Sequence, residues 1–155
     1  MLLKGKKIVL GVTGGIADYK AVDLVSRLRK QGAEVRVVMT EHARQFVTPL
    51  TFKEISGNAV ATSMWNSNQE FNVEHIALAN WADVFVVAPA TANIIAKMAH
   101  GLADDLLSTT LLAAQAPIIV CPAMNTGMYE NAFTQENITC LKAQGITAVS
   151  YTHLT

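Results

Sequence analysis

His75 and Asn125 are the side chains in this 155-residue sequence whose type and setting point most directly to chemistry. A histidine can take or give a proton near neutral pH. His75 stands in Glu74-His75-Ile76, after a polar stretch and just before an apolar helix-like run, Ile76 to Trp81. Asn125 lies in Pro122-Ala123-Met124-Asn125-Thr126-Gly127-Met128-Tyr129, which follows an apolar strand-like run. The amide NH2 of an asparagine placed there can bind a carboxylate or a carbonyl. Plainer readings stand beside these: a structural histidine, an asparagine favoured by a turn, and methionines that only fill the core.

Two further segments suit an anion. Gly11-Val12-Thr13-Gly14-Gly15-Ile16-Ala17 joins an apolar run to a helix-like one. Glycines there admit a ligand close to the backbone, and free amides at a helix start favour a phosphate. The spacing lacks the third glycine of the dinucleotide fingerprint GxGxxG, and a tight turn alone would also explain it. Pro89-Ala90-Thr91-Ala92-Asn93 repeats the arrangement. Its small residues leave room, while Thr91 and Asn93 offer hydroxyl and amide groups. Thr91 serves equally as a helix cap. Asp104 and Asp105, after Gly101, read as caps of the next helix, and His42, His100 and His153 lack a comparable setting. Cys121 and Cys140 give neither a disulfide framework nor a metal-ligand spacing, so no metal is expected.

These residues need a scaffold, and the hydrophobic pattern supplies one. Apolar runs at Ile8 to Val12, Glu34 to Met39, Val84 to Ala88, Ile118 to Cys121 and Ile146 to Val149 read as strands, the third and fourth stopped by Pro89 and Pro122. Helical spacing links them, with Ala21, Leu24, Val25 and Leu28 on one face of Ile16 to Lys30, and a last helix from about Asn131 to Gln144. Strands that do not alternate are buried on both faces, which implies a parallel sheet covered by helices. Right-handed crossovers then put ligands at the carboxyl ends of the strands, where Thr13-Gly14-Gly15, Thr40, Pro89 to Asn93 and Pro122 to Asn125 all stand. Ser56 to Asn72 is polar and irregular and reads as a loop or flap. The expected fold is an α/β, Rossmann-like three-layer sandwich formed by residues 1–155 as one domain.

Composition narrows the function classes. Net charge is zero, which is not the footprint of a nucleic-acid binder. Charged residues make up 15% of the chain against about 25% in an average globular protein. A surface with so little charge suggests that part of it is covered by other subunits. Met1 to Lys7 is too short for a signal-peptide core, and no run of about 18 apolar residues is free of charge or proline. A cytoplasmic location without membrane contact is expected, and Asn137-Ile138-Thr139 is then a chance glycosylation sequon.

Taken together, Gly14-Gly15-Ile16-Ala17-Asp18-Tyr19-Lys20, His75, Pro89-Ala90-Thr91-Ala92-Asn93, Gly101 to Leu107 and Pro122-Ala123-Met124-Asn125 with Met128 resemble, in order, the homo-oligomeric flavin-containing cysteine decarboxylases. The resemblance runs from about Lys6 to Val149 and is strongest to the phosphopantothenoylcysteine decarboxylase type of coenzyme A biosynthesis. It implies a flavoprotein-type fold with FMN held where subunits of a trimer, or a dodecamer built from trimers, meet. It implies FMN contacts from Gly14, Gly15, Thr40, Thr91, Ala92 and Asn93, and His75 as a catalytic histidine supplied across the subunit boundary. Ala123, Asn125 and Met128 would form the substrate motif, with Asn125 on the carboxylate of 4'-phosphopantothenoylcysteine. The implied reaction is a decarboxylation in which thiol oxidation first creates an electron sink.

The resemblance has departures. Thr91 and Tyr129 stand where the family often has serine and tryptophan. Ser150 to Thr155 does not match the family's continuation into a substrate flap with a reductive cysteine, so a truncated or foreign tail is expected there, without the flap or a following ligase domain. Other readings are a peptidyl-cysteine decarboxylase, which shares the histidine and PAMN-like motifs, and a non-catalytic homologue that binds a phosphatase, which would need charged tails. A flavin prenyltransferase would carry a first loop richer in glycine and serine and no His75–Asn125 pair.

Overall fold

A computed structural model of the chain describes residues 1–65, 73–149 and 152–153. Five parallel strands carry the fold: β1 (Lys7–Val12), β2 (Glu34–Met39), β3 (Val84–Ala90), β4 (Ile118–Met124) and β5 (Thr147–Ala148), in the order β2-β1-β3-β4-β5. A short β6 (Thr152–His153) pairs with β4 at Ala123 and Met124. The order reverses between β1 and β3. That is the switch point of a doubly wound sheet, where the crevice outside the strand ends takes ligands.

The strands lack alternation because helices cover both faces. Five of the six residues of β1 are buried. Val9, Phe85, Val87 and Val120 pack under α3 (Glu74–Trp81), α4 (Ala92–His100), α5 (Leu106–Ala113) and α7 (Ala132–Ala143). Ile8, Leu10, Val35 and Val37 pack under α1 (Asp18–Lys30) and α2 (Pro49–Ser56) on the opposite face. A fully buried residue of this kind contributes roughly 1.5–3 kcal/mol by leaving water. On α1 the buried stripe is Asp18, Ala21 and Val25, and the helix gives way to Gly32 at φ +95°. Gly11 is a packing requirement: a Cβ there would sit 2.5 Å from Cδ1 of Leu107 on α5.

Several boundaries differ from the sequence reading; α1 starts at Asp18 rather than Ile16, and β5 covers only Thr147–Ala148. Pro89 and Pro122 do not stop their strands; β3 and β4 run on to Ala90 and Met124. The β3–β4 register shifts between Val87 and Ala90, and a strand irregularity tolerates a residue with no N–H to donate. The helix expected from Ile76 begins at Glu74, so His75 lies in its first turn. Part of the expected flap is ordered: Ser56 ends α2, and Ala61 bridges Val38 in parallel. Residues 66–72 of that flap, and most of the 150–155 tail, lie outside the described residues.

Candidate active site

A cavity of about 480 Å³ opens over the carboxyl ends of β1, β2 and β3. Thr13 and Gly14 follow β1, and Thr40 to His42 follow β2. Thr91 and Asn93 reach it from β3 and the start of α4. Thr62 to Trp65 form a further wall, and Lys97 with Asp104 and Asp105 closes the far side.

Local chemistry fixes each wall. The Thr91 hydroxyl accepts the Ile94 N–H at 3.2 Å and caps α4. The Thr40 hydroxyl accepts the Ala43 N–H at 3.2 Å, which holds the chain as it leaves β2. Asp105 and Ser108 form a reciprocal capping box at the start of α5, as read for Asp105, whereas Asp104, also read as a cap, pairs with Lys97. Gly14 has no room for a side chain, since a Cβ would lie 2.6 Å from Cβ of His42. A Cβ on Gly15 would meet nothing within 4 Å among the described residues.

On one side the cavity meets the start of α4, while Glu41, Asp104 and Asp105 line it elsewhere. The N-terminus of α4 contributes a partial positive charge. Lys97 is 18% exposed and pairs with Asp104 at 2.9 Å. The hydrogen bond from Lys97 holds the Asp104 carboxyl below its usual range.

Of the residues singled out from sequence, Gly14, Thr40, Thr91 and Asn93 line this cavity. Gly15 and Ala92 flank it without lining it, and neither His75 nor Asn125 lines it within one chain. His75 is 9% exposed and sits in the first turn of α3. Asn125 is exposed just past β4, the strand beside β3, and it caps α6 (Thr126–Glu130) by accepting the Met128 N–H at 2.8 Å. Met128 is 47% exposed, and Ala123 is half-buried in β4 beside β6.

Sequence reasoning missed Trp65, His42 and the Lys97–Asp104 pair, whose cavity positions depend on tertiary packing. Thr13 was visible only as part of a glycine turn. Asp18 was also missed. It is 1% exposed, neither carboxylate oxygen has a hydrogen-bond partner among the described residues, and desolvation raises its pKa to about 7 against an opposing influence from the Gly15 backbone. Burial also pushes the Cys121 thiol up. Among the described residues no group of three or more His, Cys, Asp or Glu is placed to hold a metal, and no helix is long and apolar enough to cross a membrane.

The profile of the Flavoprotein family matches residues 2–154. The chain is 53% identical over 146 residues to the coenzyme A biosynthesis bifunctional protein CoaBC of Haemophilus influenzae, covering 94% of this chain and 36% of that protein. It is 52% identical to the protein of the same name from Escherichia coli K12, with the same coverage of 94% and 36%. It therefore spans about a third of the length of these relatives. Its fold matches the FMN-dependent cysteine decarboxylase SpaF with a TM-score of 0.88 at 36% identity, covering 95% of this chain and 85% of that one. A cysteine-to-serine mutant of PPC decarboxylase complexed with pantothenoylaminoethenethiol superposes with a TM-score of 0.77 at 34% identity, covering 93% and 81%.

Proposed function

The chain belongs to the Flavoprotein family, and we propose that it is an FMN-dependent decarboxylase acting on 4'-phosphopantothenoylcysteine. The observation that carries this reading is the cavity at the β1–β3 switch point, lined by Gly14, Thr40, Thr91 and Asn93. Its volume of about 480 Å³ lies within the roughly 300–1,000 Å³ of cofactor pockets. Gly14 brings backbone where no side chain fits, the α4 N-terminus favours a phosphate, and Trp65 offers an apolar wall. These features fit FMN. Relatives at about half identity include coenzyme A biosynthesis proteins, and solved structures with a similar fold include an FMN-dependent cysteine decarboxylase and PPC decarboxylase.

When bound, FMN supplies the two-electron oxidation that turns a thiol-bearing carbon into an electron sink. The residues of the chain do the rest. Gly14, Gly15, Thr40, Thr91, Ala92 and Asn93 hold the cofactor. His75 handles the proton released as the substrate thiol is oxidised. Asn125 presents its amide NH2 to the substrate carboxylate, an orienting role. Ala123 and Met128 shape the substrate pocket beside it.

His75 lies away from the cavity of its own chain, so the active site is completed by a neighbouring copy in a trimer. One sheet face supports this. Among the described residues α1, α2 and the turn at Ala43 cover part of it, while Val84, Val86, Ile119 and Cys121 on β3 and β4 stay half-exposed. A second copy of the chain seated there buries those side chains and explains the low charge content. The residues 1–155 act as one cofactor-binding domain, and a cytoplasmic location suits the chemistry.

Release of the cofactor by denaturation, followed by mass spectrometry, tests the reading. Recovery of FMN at close to one per chain is expected. Stoichiometric recovery of a dinucleotide, or of no flavin after incubation with excess FMN, overturns it.

A further inference from the structure

Thr13 follows β1 directly and is 2% exposed. Its hydroxyl donates to the Pro89 carbonyl at 2.6 Å and accepts the Thr91 N–H at 3.1 Å. One buried oxygen thus satisfies an acceptor and a donor on a segment more than seventy residues away. That segment borders the β3–β4 register shift between Val87 and Ala90, where the regular ladder is interrupted before Ala90 pairs with Pro122. Thr91 in turn caps α4 and lines the cavity with Asn93. Gly14, the next residue after Thr13, forms the opposing lip.

We propose that Thr13 is a positioning residue that fixes the Thr91 turn relative to the Gly14 loop, so that the two lips of the cavity grip one anionic cofactor together. The inference rests on the reading of this cavity as the FMN site. Thr13 acts through Pro89 and Thr91. A threonine that merely filled space would be replaced by valine, its isostere, without consequence for the turn.

The test compares Thr13→Val, which keeps the shape and removes the hydroxyl, with Thr13→Ser, which keeps the hydroxyl and removes the methyl. Amide exchange at Thr91 is followed in the flavin-free protein, and FMN affinity is measured by titration. Thr13→Val should exchange Thr91 about tenfold or more faster and weaken FMN binding by a similar factor, because a buried donor and acceptor lose their partner. Thr13→Ser should stay within about threefold of wild type in both. If Thr13→Val fails to fold, Thr13→Ala gives the same comparison against serine. Wild-type behaviour of Thr13→Val, or equal damage from valine and serine, overturns the proposal. If wild type takes up no FMN, the cofactor reading fails, while exchange at Thr91 still decides whether Thr13 holds the turn.

Discussion

The side-chain oxygen of Asn125 accepts the Met128 N–H at 2.8 Å. The amide oxygen is therefore committed to capping α6, and the NH2 group remains the face offered to a substrate. The same residue is both a turn asparagine and a candidate carboxylate binder, which were alternatives in the sequence. Its cap fixes the side chain, so little rotamer freedom is lost on binding.

That relationship sets the first prediction. Asn125→Asp keeps an oxygen for the Met128 amide and replaces the NH2 donor with a second oxygen. The fold and the flavin content should be unchanged, because aspartate caps as well as asparagine. Turnover should fall by roughly tenfold to a hundredfold, the worth of a hydrogen bond to a charged group. Steady-state rates beside a flavin absorbance spectrum provide the check, and an active Asn125→Asp enzyme refutes the assignment.

The two neighbouring glycines should separate steric from ligand effects. Gly14→Ala places a methyl group 2.6 Å from His42 and must displace the loop. It should lower the melting temperature of the flavin-free protein. Gly15→Ala meets nothing within 4 Å among the described residues, so it should melt like wild type while losing FMN affinity if the cofactor approaches Gly15. Thermal melts without flavin and titrations with FMN read the two effects apart. Equal FMN binding by Gly15→Ala and wild type removes Gly15 from the site.

Asp18 gives a pH prediction whose sign is fixed. Its pKa is about 7 in the folded chain against an ordinary value of 3.8. The folded protein keeps the proton to higher pH than the unfolded chain, so unfolding releases protons between these values. Stability therefore declines as pH rises from about 4 to 7 and levels off above that. At 1.36 kcal/mol per pKa unit the full effect is of order 4 kcal/mol. Asp18→Asn carries no charge to bury and should be more stable than wild type at pH 8, with little difference at pH 4. Melting curves at both pH values decide it, and a constant offset between the proteins would rule out Asp18 as the cause.

His75→Asn should keep the fold and the bound flavin and lose about 10²–10⁴-fold in turnover, the usual contribution of a proton-handling residue. If the site is shared between copies, mixing His75→Asn with a cofactor-site variant such as Gly14→Ala should restore part of the activity through mixed trimers. Unimpaired turnover by His75→Asn makes the histidine structural.

The sheet was legible because burial on both faces leaves an unbroken apolar run. Glu34 to Met39 was read to the residue. The prolines were misread because Pro89 and Pro122 break a regular ladder, whereas here one sits at a register shift and both lie near strand ends. The cavity floor was legible in part, since small and polar residues at strand ends have little other reason to be there. Gly14, Thr40, Thr91 and Asn93 follow from that rule. Trp65, His42 and Lys97 do not, because local sequence carries no trace of which loop folds back over which strand. Thr13 was placed at a strand end with Gly14 and Gly15, but its two bonds were hidden because they cross to a segment distant in the chain.

The most direct test of the account is to supply FMN-loaded protein, without oxygen, with 4'-phosphopantothenoylcysteine labelled at the cysteine carboxylate, and to measure labelled CO2. The account predicts CO2 release that requires FMN and falls sharply in both His75→Asn and Asn125→Asp. Release that is absent from the flavin-loaded wild-type protein, or that is undiminished in those two variants, would contradict it.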